Sequence, residues 1–68
     1  MQVTVNGEAR ELPRGATVAI VVASLPGTAR GRGIAVALDG EVVPRARWDR
    51  FALAEDARVE VLTAMQGG

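Results

Sequence analysis

The 68-residue chain contains no cysteine, no histidine and no lysine. Without cysteine there is no thiol nucleophile, no persulfide and no thiolate ligand. Without histidine the commonest general base and metal ligand is missing. Without lysine there is no Schiff base, and no side-chain amine through which a second molecule could be joined. Aromatic residues are confined to Trp48 and Phe51. No apolar run approaches the roughly 20 residues of a spanning helix, and the amino terminus lacks a signal-peptide pattern. A soluble, cytoplasmic protein is therefore expected. Excess charge is also missing, since eight arginines balance eight acidic residues. That argues against a nucleic-acid binder that neutralises many phosphates and against a polybasic membrane anchor.

What remains is a single small domain with little margin. A chain of this size buries only about 60% of its unfolded surface. Disulfides and metals, the usual supplements, are unavailable here. The domain must fold on aliphatic packing or with a partner's help. A hydrophobic content of 49% is enough for a packed core and speaks against disorder.

Along the chain, Met1, Val3 and Val5 alternate with Gln2 and Thr4, the period of a half-buried strand. Asn6-Gly7 is a strong hairpin signal, because a type I′ turn needs positive φ twice. Glu8 to Leu12 then reads as a charged returning edge strand. Pro13-Arg14-Gly15 breaks it, and Thr17 is a candidate helix N-cap. Val18, Val21, Val22 and Leu25 lie on one helical face, although the β-branched residues disfavour a helix. Periodicity is given precedence, so a helix is predicted with Ile20 near its surface and Pro26-Gly27 at its end. Thr28 to Gly33, carrying Arg30 and Arg32, reads as a solvated loop, because no phosphate-binding spacing follows it.

Ile34, Val36 and Leu38 alternate with two alanines as a second clear strand. Asp39-Gly40 is another hairpin turn, Glu41-Val42-Val43 returns, and Pro44 stops the pairing. The spacing of Trp48 and Phe51 predicts a short helical turn with its apolar side on the core. Leu53-Ala54-Glu55-Asp56 reads as a turn. Arg58 to Thr63 is the last strand, with Val59 and Val61 inward. After it the chain ends on Ala64-Met65-Gln66-Gly67-Gly68. A terminal glycine pair suits a carboxylate that threads into a narrow site, because glycine fits where a Cβ would clash.

The chain resembles the sulfur carriers of thiamine biosynthesis, the ThiS family, which are ubiquitin-like β-grasp proteins. The resemblance rests on Val3-Thr4-Val5-Asn6-Gly7-Glu8, on Ala16-Thr17-Val18, and on the run from Ile34 to Arg45 with Trp48 after it. It ends on Arg58 to Gly68, including Gln66-Gly67-Gly68. Asp39 stands where the family usually has Asn, and the turn before the last strand lacks the usual glycine. Met65 replaces a usual valine, and Val21 and Val22 replace common leucines.

The resemblance implies an α+β β-grasp fold: a mixed sheet of about five strands with one main helix on one face. The first and last strands would lie parallel at the centre. Residues 1–63 would form the domain and 64–68 a flexible carrier tail. It further implies that Gly68 is adenylated with ATP by a ubiquitin-activating-like, ThiF-like adenylyltransferase. Gly68 would then become a thiocarboxylate, with sulfur derived from a cysteine desulfurase, and deliver it to a ThiG-like thiazole synthase. No catalytic side chain, bound cofactor or metal is expected in the carrier itself. Partner contacts are expected at Gly67, Gln66, Met65, Ala64 and Leu62. Leu62 falls on the polar face of the last strand, where it either packs within the fold or meets a partner. Two alternatives share the glycine ending: the small subunit of molybdopterin synthase and a ubiquitin-like protein modifier.

Overall fold

A computed structural model describes residues 1–25 and 33–63. The tail from Ala64 to Gly68, Pro26-Gly27 and the loop up to Arg32 lie outside the described residues. Strands β1 (Gln2–Val5) and β2 (Glu8–Glu11) form the first hairpin. Helix α1 (Val18–Ser24) follows, then strand β3 (Ile34–Leu38), strand β4 (Glu41–Val42) and strand β5 (Arg58–Thr63). The sheet order is β2-β1-β5-β3-β4. β1 and β5 pair in parallel, with Val5 opposite Val59, and both hairpins are antiparallel. Among the described residues, the mixed sheet, one α-helix and the parallel central pair are those of a β-grasp.

One face of the sheet makes the core. Val3, Val5, Val36, Val59 and Val61 pack beneath Val18, Val21 and Val22 of α1. Ile34, Leu38 and Leu25 pack against this cluster while keeping some exposure. Ile20 points away and is 48% exposed, as its place off the apolar stripe requires. A seven-residue helix is too short to persist alone, so its stability must come from tertiary packing. Two of its first amide groups find carbonyls in a distant segment: Val18 N–H donates to Phe51 O and Ala19 N–H to Trp48 O, both at 3.0 Å. Thr17 caps the same end, its side-chain oxygen accepting from the Ile20 amide at 3.4 Å.

The segment after β4 departs from expectation. The ladder stops at Val42, and the helical turn is a 3-10 element at Arg45–Arg47, ahead of both aromatics. Pro44 supplies the reason: it cannot donate to a ladder, and its φ of −60° begins the turn. Val43 still donates its amide to Val36 O at 2.8 Å and turns its side chain inward. Trp48 and Leu53 are buried, and Phe51 packs against the core from its margin.

Both hairpin turns adopt the double positive φ expected of them, at Asn6 and Gly7 and at Asp39 and Gly40. The turn before β5 reaches the same region without glycine, at Asp56 with φ +66°. A left-handed residue other than glycine is strained by about 1–2 kcal/mol, and glycine adds about 0.5–1 kcal/mol of unfolded-state freedom. Asp56→Gly is therefore expected to stabilise the domain slightly, by about 0.5 kcal/mol. A melting temperature higher by about 2–4 °C would register it, whereas a lower one would mean that the aspartate side chain supports the turn.

Candidate functional site

The expected site residues lie at and beyond the end of β5. Four devices hold this strand in place. β3 pairs with it along its length, from Ile34 opposite Thr63 to Leu38 opposite Val59. β1 covers its other edge but pairs only as far as Val59. Beyond that point the Asn6 side chain takes over. Its Oδ1 accepts from the Val61 amide at 2.8 Å, and its Nδ2 donates to Val61 O at 3.3 Å. The side-chain amide thus stands in for a missing strand residue, two positions before the strand ends. At the other end of β5, Asp39 Oδ1 accepts from the Arg58 amide at 3.0 Å. Each hairpin therefore turns through an Asx residue whose side chain clamps β5. Sequence reading found these residues as turn formers and missed their second task. The signal was present in the choice of Asn and Asp, whose short polar side chains bond nearby backbone.

The outer face of the sheet lies opposite the helix. Register places Ala35 beside Leu62, and Ala37 beside both Glu60 and Val42. Leu62 is 67% exposed and Val42 75% exposed, so packing within the fold accounts for neither. Gln2, Arg58 and Glu60 on the same face are exposed as predicted. The strip running from Val42 to Leu62 is thus apolar and uncovered, and its Leu62 end adjoins the root of the tail. Ala64, Met65, Gln66, Gly67 and Gly68, the other expected site residues, lie outside the described residues.

The composition limits what this site can do. With no Cys, His or Lys, the chain has no ordinary nucleophile–base pair. Among the described residues no cluster of acidic groups is placed to hold a metal, and no helix is long and apolar enough to cross a membrane.

The profile of the ThiS family matches residues 3–68, from the first strand through the glycine pair. The chain belongs to the ThiS family. Among solved structures it is similar to the crystal structure of the thiamine biosynthesis protein ThiS from Geobacter metallireducens. The two share 30% identity and superpose with a TM-score of 0.79, over the whole length of both chains. No curated protein matches. Two of the departures in sequence keep their structural roles. Asp39 in place of the family's usual Asn keeps the acceptor that Arg58 needs. Valine in place of leucine at positions 21 and 22 still fills the core, at 1% and 4% exposure.

Proposed function

We propose that this protein is a sulfur carrier of thiamine biosynthesis and that Gly68 is the group that carries the sulfur. The observation that carries this reading is the ThiS match over residues 3–68, which includes Gln66-Gly67-Gly68. A carboxylate is a poor acyl donor because its leaving group is oxide or hydroxide. A partner of the ThiF type joins the Gly68 carboxylate to the α-phosphate of ATP, releasing pyrophosphate. The resulting acyl-adenylate has AMP as its leaving group. A persulfide sulfur, derived from a cysteine desulfurase, attacks the Gly68 carbonyl carbon and AMP departs. A thiol then reduces the acyl disulfide, leaving the thiocarboxylate on Gly68. That sulfur is a nucleophile at neutral pH, and thiazole synthase is its acceptor.

The carrier needs no catalytic side chain and no cofactor of its own for these steps. ATP is consumed by the activating partner. Gly67 lets the tail extend without a Cβ clash, Ala64, Met65 and Gln66 line the partner's channel, and Leu62 meets the partner at its mouth. The test is mass spectrometry of the intact protein after incubation with ATP, a sulfur source and the cognate activating enzyme. The carboxyl terminus is expected to gain the mass difference between sulfur and oxygen. A terminus that stays a plain carboxylate with an enzyme of proven activity refutes the reading.

A further inference from the structure

Between Pro44 and Leu53 the chain leaves the sheet edge and crosses to the helix. Val43 lies level with Val61, two residues before the end of β5, since the Val43 amide bonds Val36 O and Val36 pairs with Val61. β5 and β4 are two strand spacings apart, about 10 Å, so this segment begins beside the root of the tail. Its backbone is firmly held. Arg47 N–H donates to Pro44 O, Arg50 N–H to Arg47 O and Leu53 N–H to Ala16 O, while Trp48 O and Phe51 O accept from the helix. On its outer side Arg47 and Arg50 are exposed and Phe51 is half-buried. Among the described residues, these three line an open cleft of about 340 Å³.

The charge in this cleft is unanswered. Among the described residues neither the Arg47 nor the Arg50 guanidinium has a carboxylate within ion-pair distance, and Asp49 between them pairs with neither. Arg45 lies outside the cleft, 6.0 Å from the centre of the Trp48 ring. Residues 45–50 hold three arginines and one aspartate, a local positive excess in a chain that nets zero. Guanidinium forks recognise carboxylates in pairs of parallel hydrogen bonds. Arginine and aromatic residues are also the types most enriched among interface anchors. A small anion fits poorly here, because exposed ion pairs contribute little against water and salt. A protein surface that covers both guanidiniums and lays an apolar side chain on Phe51 gains more.

We infer that Arg47, Arg50 and Phe51 form a docking site for an acidic segment of the enzyme that adenylates the tail. The inference rests on the carrier reading, in which adenylation is the first step and the activating enzyme the first to grip the tail. Binding here and at the tail would be two contacts of one partner.

Steady-state adenylation, followed by pyrophosphate release, tests this with the whole chain and its cognate activating enzyme. The double variant R47E/R50E is expected to raise KM for the carrier about tenfold or more while kcat stays within about twofold. R47K/R50K keeps the charges but loses the paired hydrogen bonds, so its KM is expected to fall between those of the wild type and R47E/R50E, and the wild-type KM is expected to rise with salt more steeply than that of R47E/R50E. Arg14→Glu, an exposed charge reversal outside this segment, serves as the control. Melting curves by circular dichroism establish that each variant is folded. An unchanged KM in folded R47E/R50E overturns the docking site, and so does an equal rise in Arg14→Glu. A wild-type chain that is not adenylated at all overturns the carrier reading itself, a result distinct from either.

Discussion

Gly67→Ala is expected to lower kcat/KM for adenylation about 100-fold while leaving the unfolding transition where it was. The described core is assembled from residues between Val3 and Val61, so a methyl group at position 67 removes none of its contacts. The penalty arises in the partner. A carboxylate must meet the α-phosphate of ATP in line, and misplacement by about 1 Å is enough for a loss of this size. A Cβ one residue before the reacting carbon is the smallest addition that can cause it. It also removes access to backbone angles that glycine alone adopts freely. The variant should therefore lose kcat as well as affinity, since the fault lies in positioning. Steady-state pyrophosphate release read beside a thermal melt separates the two effects. Wild-type adenylation by Gly67→Ala would end the argument for a narrow channel, and a lowered melting point would move the effect from the partner to the fold.

Much of the fold was legible because local rules and tertiary demands agree. Aliphatic residues at period two marked β1, β3 and β5, and every inward set so chosen is buried or packed on the core. The two Asx-Gly turns formed where positive φ was required. The helix was a conflict between period and propensity. Period prevailed because the stripe Val18, Val21 and Val22 has a sheet to bury against, and because Trp48 O and Phe51 O accept from its first amides. No local rule foretells those carbonyls, since they come from some thirty residues away.

The same holds for the parallel pairing of β1 with β5, which came from resemblance and not from periodicity. Long-range geometry also hid the clamps of Asn6 and Asp39 on β5, and the cleft of Arg47, Arg50 and Phe51. Each joins groups that the sequence lists far apart or in an irregular stretch. The site itself was read in the opposite way. Gly67 and Gly68 are expected from motif and resemblance and lie outside the described residues, while the folded body shows the strand that precedes them. Leu62 lies between these cases: its polar-face position was legible, and its exposure decided against packing within the fold.

Trp48→Ala is expected to leave most of the protein unfolded at 25 °C. Trp48 is 7% exposed within the core cluster, and removing a buried tryptophan costs about 3–5 kcal/mol. Its indole Nε1–H donates to Val43 O at 3.0 Å in a buried bond, so truncation also leaves that carbonyl without its partner. An unsatisfied buried acceptor adds about 1–3 kcal/mol. A single core in a domain of this size rarely supplies more than about 3–5 kcal/mol in all, and there is no disulfide to hold the chain. The loss therefore matches or exceeds the whole stability. Trp48→Phe separates the two parts, because it keeps most of the ring volume and loses the hydrogen bond. It is expected to remain folded with stability lower by about 1–3 kcal/mol. Urea unfolding followed by far-ultraviolet circular dichroism is the measurement, since Trp48 is the only tryptophan and fluorescence vanishes with it. A Trp48→Ala midpoint near that of the wild type would mean that residues 44–53 merely cover the core. The expected collapse would mean that they hold α1 to the sheet. The segment that bears Arg47, Arg50 and Phe51 would then be as rigid as the core beneath it.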